Sequence, residues 1–332
     1  MSENLFERLE QDLCLNEKFR IRRKPEVKRE FFAYVNERLS AKGYAGRADG
    51  DFKETTNLIF GDENTADLIF MAHYDTPKTN TGLKPFMFLF NLPGFIAQGI
   101  GMLLVLAAVV VGATLLGIYL HWAFSVLWVA AMSVWVFPSY HMFDNKFNFN
   151  DNTSGCIALL YLAERFAAEY PELKARSCFV FSDREEAGTV GAKKLKKQLI
   201  ERLGEEGFKK KILFNFDCVG GRDKDKYIMT NSSDGLVLAE EIRDGAKDIG
   251  VYRSPILNMD SFQFGKIPAV SFCSASPRYG LRFLLESKDI HTNRDDFLDT
   301  AQIREYGDLT LRYLTGKYLT GDTAVKNGRK DL

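Results

Sequence analysis

From Pro85 through Phe143 the chain contains no aspartate, glutamate, lysine or arginine, although charged residues make up 27% of the whole. Such a stretch must be covered by lipid or by protein. It breaks near Gly117–Trp122 into one piece over Phe95–Leu120 and another over Trp122–Phe137. A bilayer span takes about 20 apolar residues, with about 17 at the short end, so the first piece is long enough and the second sits at the limit. The alternative is a pair of buried core helices or an oligomer interface, but helices at a soluble surface alternate in polarity and these do not. The expectation is a two-helix transmembrane hairpin over residues 86–140. Trp122, Trp128 and Trp135 all fall in the second piece, Trp122 at one end and Trp135 near the other, where indoles favour the water boundary, although the same spacing would make a packing stripe. Lys78 and Lys84 precede the hairpin, Lys146 follows it, and the turn between its arms carries no basic residue. By the positive-inside rule both ends, and the remainder of the chain with them, face the cytoplasm, with the lipid bilayer as a partner.

Over the whole chain, 332 residues carry 44 basic and 44 acidic side chains. The balance removes the basic excess that nucleic-acid binding draws on, so no nucleic-acid partner is expected. Cys14, Cys156, Cys178, Cys218 and Cys273 form no CxxC pair and read as buried free thiols of a reducing compartment. The N-terminal segment has charges throughout and no apolar run of the secretory type.

Strand and helix patterns alternate. Asn57–Phe60 and Asp67–Ala72, separated by a turn-like Gly-Asp-Glu-Asn, suggest a hairpin of strands. Then come a helix over Ser154–Tyr170, a strand over Cys178–Phe181, a helix over Gly188–Leu203 and a strand over Ile212–Phe216. A helix over Leu236–Ile249, a strand over Ala269–Cys273 and a helix over Ala301–Leu319 complete the series. This predicts an α/β fold, a mostly parallel mixed sheet sandwiched by helices. Residues 1–85 and 141–320 would be two parts of one catalytic domain, 86–140 the insertion and 321–332 a polar tail.

Polar clusters follow the predicted strands or open helices, where α/β sheets place ligands. His73 and Asp75 end the second strand. Alternate side chains of an extended chain face one way, so the carboxylate can orient the imidazole. Alone, the pair is a weak signal, since the triplet is common by chance, and reads more readily as a satisfied histidine at a strand end. Asp151-Asn152-Thr153-Ser154-Gly155 opens a helix and could be a capping turn. Glu185 and Glu186 are adjacent carboxylates after a strand and repel one another unless a cation or proton offsets them. Asp217 follows ILFNF, and His291 lies in KDIHTNRDDF. Carboxylates with imidazoles and no thiolate suit catalytic zinc or another divalent metal. The other two histidines, His121 and His141, flank the second apolar arm.

In this order the motifs His-x-Asp, Asp-Asn-x-Ser-Gly, Glu-Glu, Asp and His-Thr resemble the co-catalytic di-zinc aminopeptidases of metallopeptidase family twenty-eight, relatives of leucyl aminopeptidases, glutamate carboxypeptidase and the transferrin receptor. The resemblance covers about residues 55–85 and 144–320, with plausible separations between the clusters, that from Asp151 to Glu185 among them. It implies Asp151 as a carboxylate bridging two Zn2+ ions, His73 and Asp217 completing one site, Glu186 and His291 the other, Asp75 orienting His73, and Glu185 as general base. The chain departs from the family's pattern between His73 and Asp151, where the link is much longer than in typical soluble members and accommodates the apolar hairpin. Insertions whose ends lie close together are tolerated.

The implied activity is a membrane-anchored zinc-dependent exopeptidase of aminopeptidase type acting on a peptide substrate. Two metals polarise the scissile carbonyl and acidify a water, and Glu185 carries its proton to the leaving amine. Two alternatives stand beside it: a non-catalytic membrane scaffold with the same fold, and a single-zinc amide-transforming enzyme such as a glutaminyl cyclase. No GxSxG elbow supports a serine hydrolase. Ser274–Ser287, with Arg278, Tyr279 and Arg282, is either the rim of a substrate pocket or a solvated loop.

Overall fold

The computed structural model describes residues 2–79, 92–136, 143–256, 259–278 and 280–319. Lys84, His141 and the tail 321–332 lie outside them. Among the described residues nine strands form one sheet. Its centre consists of three parallel strands, β6 (Ser177–Ser182), β3 (Leu68–His73) and β7 (Ile212–Phe216), in that order. β10 (Ala269–Arg278) extends them in parallel on the far side of β7, then β8 (Asp225–Thr230) antiparallel, with β9 (Ile249–Arg253) at the edge. β2 (Thr56–Phe60) lies antiparallel beside β6, and β1 (Gly46–Gly50) outside it. β11 (Leu281–Glu286) pairs with the end of β10.

The central strands are apolar on both faces because both faces are covered. Along β3, Leu68, Phe70 and Ala72 join one hydrophobic cluster, while Ile69 and Met71 join another on the opposite side. On the first side Phe70 stacks between Phe179 and Phe214, with ring centres 5.0 and 5.1 Å away. Helices α1 (Ser2–Glu10), α2 (Pro25–Ser40), α5 (Gly155–Glu169) and α9 (Thr300–Tyr318) cover that face, and α7 (Val190–Phe208) the other. A short α6 (Pro171–Ala175) leads into β6, and α8 (Ser233–Arg243) precedes β9.

The expected hairpin between β2 and β3 does not form. β6 lies between them, and β2, buried along its whole length, pairs on both edges, with β1 and β6. The expected helix over Leu236–Ile249 ends at Arg243: Gly245 adopts φ +81°, a left-handed turn that side-chain-bearing residues resist, and Ile249 already belongs to β9. The five cysteines are free and buried, as expected.

Two apolar helices, α3 (Leu92–Tyr119) and α4 (Trp122–Val136), follow one another through Leu120–His121. The Trp128 indole donates to the Val109 carbonyl at 3.1 Å, and its ring lies where a Cβ at Gly112 would be 2.6 Å away. Residues Gly99–Tyr119 are long and apolar enough to cross a membrane, with 6% of their most apolar window buried in the protein. The second helix is shorter in its apolar stretch, Trp122–Ser133. Before and after this segment, β4 (Lys78–Thr79) and β5 (Phe143–Asp144) pair antiparallel, so its two ends meet.

Candidate metal centre

Because β6, β3 and β7 are parallel neighbours, the residues after their C-terminal ends gather at one edge. His73 is the last residue of β3, Asp217 follows β7, and Glu185 and Glu186 follow β6. Asp151 sits in the irregular turn Phe149–Ser154 that enters α5, with a cis peptide bond to Asn152. That turn presses against the end of β7: a Cβ at Gly155 would come within 2.3 Å of the Phe216 carbonyl oxygen. The Asn152 amide completes the junction, donating to Phe216 O at 2.8 Å and accepting from Gly155 N at 3.0 Å. His291 arrives after β11, in the left-handed conformation with φ 55°. Arg184 and Cys218, beside the Glu185–Glu186 and Asp217 positions, are left-handed too. Such backbones cluster where surrounding structure fixes a functional geometry.

The expected residues converge. One carboxylate oxygen of Asp151 lies 3.2 Å from His73 Nε2 and the other 3.0 Å from His291 Nε2, so Asp151 stands between the imidazoles. Asp217 Oδ1 is 3.8 Å from His73 Nε2, and Glu186 Oε2 is 3.3 Å from His291 Nε2. Two sets able to hold a metal result, His73–Asp151–Asp217 and Asp151–Glu186–His291, each with its ligand atoms within 4.8 Å of one another. Glu185 belongs to a third such group with His73 and Glu186.

The charges test whether these residues fit a cation. Burial alone would strip His73 of its proton, but hydrogen bonds to Asp151, Asp217 and Asp75 outweigh it and raise its pKa well above the ordinary value. Burial likewise opposes ionisation of Asp151, yet the two imidazoles hold its carboxyl below the usual range. Burial, and then neighbouring acids, push Glu185 and Glu186 well up. Glu186 Oε1 is buried without a hydrogen-bond partner. Five carboxylates around two imidazoles carry more negative charge than the imidazoles can offset, which is the donor chemistry of a divalent-metal site.

Asp75 does more than the sequence suggested. Its Oδ1 lies 3.5 Å from His73 Nδ1, which is closer, at 3.2 Å, to the Asp75 carbonyl. The two carboxylate oxygens accept the backbone N–H groups of Glu185 at 3.0 Å and Glu186 at 3.3 Å, fixing the β6 turn to the β3 turn.

Three supporting residues escaped the sequence reading. Asp295 accepts the N–H of Asn150 at 2.8 Å and of Asp151 at 3.0 Å, holding the Asp151 turn; burial pushes its pKa up to about 8. The RDDF context of Asp295 carried no spacing signal. Arg22, wholly buried, donates to the Tyr74 and Phe19 carbonyls and, at 3.0 Å, to Thr153 Oγ1, so it joins the His73 strand end to the Asp151 turn. In sequence it was one cation among several in a charged leader. Asp260 is buried beneath the acids, takes the Ser182 hydroxyl, and has a pKa pushed by burial to about 7.

The proposed rim is corrected. Ser274–Ser287 is mainly the end of β10 and β11, and Arg278 is buried in a 3.0 Å ion pair with Glu286 instead of lining a loop. Tyr279 lies outside the described residues, and Arg282 enters only through the β11 backbone.

Residues 141–314 match the profile of Peptidase family M28, which is more than half of the chain. The chain belongs to peptidase family M28. The M28 match begins after His73 and Asp75, which the fold brings to its edge. Among solved structures the chain is similar to the LapA aminopeptidase of Legionella pneumophila (14% identity, 94% of this chain and 68% of that one, TM-score 0.58). It is similar also to the glutaminyl cyclases of Bacteroides thetaiotaomicron (13%, 94% and 97%, TM-score 0.59) and Porphyromonas gingivalis (16%, 88% and 90%, TM-score 0.55). At these identities the likeness establishes the fold, a mixed α/β sheet flanked by helices. No curated protein sequence gives a match.

Proposed function

We propose that this M28 chain is a membrane-anchored zinc exopeptidase of aminopeptidase type. The observation that carries the reading is Asp151 placed between His73 and His291, with a further carboxylate beside each imidazole. His73, Asp151 and Asp217 would hold one Zn2+ and Asp151, Glu186 and His291 the second, other divalent metals being chemically possible. When bound, such ions polarise a carbonyl and make water acidic enough to lose a proton near neutral pH. Glu185 is the proton carrier. Its carboxylate lies within the group formed with His73 and Glu186, and its backbone is fixed by Asp75. Its carboxylate, deprotonated once metal is bound, would take a proton from water and pass it to the departing amine. Asp75 and Asp295 keep the two turns in register while this happens.

Residues 80–142 act as an insertion in a single catalytic domain, rooted at the β4–β5 pair. Gly99–Tyr119 supports one membrane span, and the exposed apolar surface of α4, Trp122 and Leu127 included, supports burying the second helix in the same bilayer. Lys78 and Lys146 at the root support a cytoplasmic catalytic domain. The full chain therefore sediments with membranes and resists carbonate extraction.

Elemental analysis of the detergent-solubilised protein gives close to two zinc ions per chain. A single-zinc cyclase would give one, and a non-catalytic scaffold less than one. On aminoacyl reporter substrates, Glu185→Gln lowers kcat/KM by roughly 10² to 10⁴ while zinc content stays constant. Unchanged turnover in that variant overturns the assignment.

A further inference from the structure

A cavity of about 390 Å³ opens beside the candidate metal centre, with Asp75 and Glu186 in its wall. The rest of its lining is unusually basic for a chain of balanced charge: Arg23, Lys28, Lys53, Lys78 and Arg184, opposed by Glu54. Two of these cations are already committed. Lys28 is buried in an ion pair with Asp183, and Arg23 reaches Asp144 at 3.2 Å and donates to the Thr76 carbonyl. Lys53, Lys78 and Arg184 have no carboxylate partner among the described residues, and they approach the cavity from three separate segments. Lys53 comes from the loop between β1 and β2, Lys78 from β4, and Arg184 from the turn after β6. Arg184 is held there with φ 57°, a backbone that residues bearing a side chain seldom adopt, one position before Glu185.

Unpaired cations converging on a concave site beside the reacting groups favour an anion delivered by the substrate. Both lysine and arginine complement a carboxylate, and arginine does so with two parallel donors. We propose that this cavity selects peptides carrying a carboxylate near the scissile bond, held by Lys53, Lys78 and Arg184. The proposal rests on the peptidase reading above and specifies its substrate class. That carboxylate has two sources: the side chain of an aspartate or glutamate residue, or the C-terminus of a short peptide.

Matched pairs separate the sources on the full-length, zinc-loaded protein in detergent: glutamyl- against glutaminyl-p-nitroanilide, and alanyl-alanine against alanyl-alaninamide. The charged member of at least one pair is expected to have a kcat/KM at least tenfold higher, and the pair that shows it identifies the source. In Lys53→Gln/Arg184→Gln the ratio falls toward one, through KM. Raising potassium chloride from about 0.05 to about 0.5 M compresses the wild-type ratio, because Lys53 and Arg184 are exposed and Lys78 only half-buried. Equal or lower rates for the charged member of both pairs overturn the proposal, as does a preference that survives the double substitution. Should neither pair be hydrolysed, the peptidase reading fails on its own. Calorimetric binding of alanyl-alanine and alanyl-alaninamide to the same protein then decides the cavity's preference, tighter binding of the acid upholding it and equal binding overturning it.

Discussion

Replacing Asp75 by Asn tests how the centre is held together. The carboxylate accepts one backbone N–H on each oxygen, from Glu185 at 3.0 Å and Glu186 at 3.3 Å. An amide of the same shape has one carbonyl oxygen, and its NH2 group meets the second N–H head on. One hydrogen bond to a charged group, about 1.5–3 kcal/mol, is lost, and a buried N–H is stranded at about 1–3 kcal/mol. Removing the charge brings no relief. Burial raises the Asp75 pKa, but the bonds to His73 and the Glu185 N–H outweigh it and leave the carboxyl below its ordinary value, so this environment favours the anion. A net loss of about 3 kcal/mol lowers the melting temperature of a domain of this size by roughly 6–12 °C. Because Asp75 also touches the imidazole of a metal ligand, zinc affinity falls by about 10- to 100-fold. Differential scanning fluorimetry with and without EDTA, and zinc competition with a chromophoric chelator, read the two effects separately. A melting temperature within about 2 °C of the parent and zinc affinity within about twofold would refute the reasoning, since the β6 turn would then be held by something other than Asp75.

Three other outcomes are expected. Arg22→Met leaves the buried Tyr74 and Phe19 carbonyls without their donor and lowers the urea-unfolding free energy by about 2–4 kcal/mol, the apolar side chain offsetting part of the loss; an unchanged midpoint contradicts the tie it is said to make. Zinc affinity rises at least about tenfold from pH 6 to pH 8, since the raised pKa values of His73, Glu185 and Glu186 mean that metal entry expels protons; calorimetry in buffers of different ionisation enthalpy counts them, and a flat profile contradicts it. Excising 80–142 and joining Thr79 to Phe143 through a tight Asn-Gly turn yields a folded domain that binds zinc and no longer sediments with membranes, because those residues already pair across the ladder; aggregation without zinc binding counts against the excision.

The chemistry of the centre was legible because it lies in residue types that a core has no use for. His73, Asp151, the Glu185–Glu186 pair and Asp217 each sit at a predicted strand end or helix start, His291 stood out in the polar stretch KDIHTNRDDF as one of only four histidines, and β3, β6, β7 and the first half of β10 were readable from their mostly apolar character. What sequence could not supply was the order of strands. β2 and β3 are neighbours in the chain and look like a hairpin, yet β6 separates them, because pairing is decided by long-range contacts that periodicity does not encode. β8, β9 and β11 went unread, being partly polar and lying toward the sheet's margin. The supporting residues were hidden for a different reason. Arg22 and Asp295 are charged residues in charged neighbourhoods, and only their burial in three dimensions separates them from ordinary surface charge.

The pairing of Lys78–Thr79 with Phe143–Asp144 also sets a length. Lys78 stands three positions after Asp75, and Asp151 seven after Asp144. Even fully extended, these leashes reach about 10 and about 25 Å. An enzyme hung from a lipid anchor by a long floppy linker can tumble and sample any bearing. In the proposed membrane-anchored enzyme, leashes this short would keep the mouth through which a substrate enters at a nearly constant distance from the β4–β5 root.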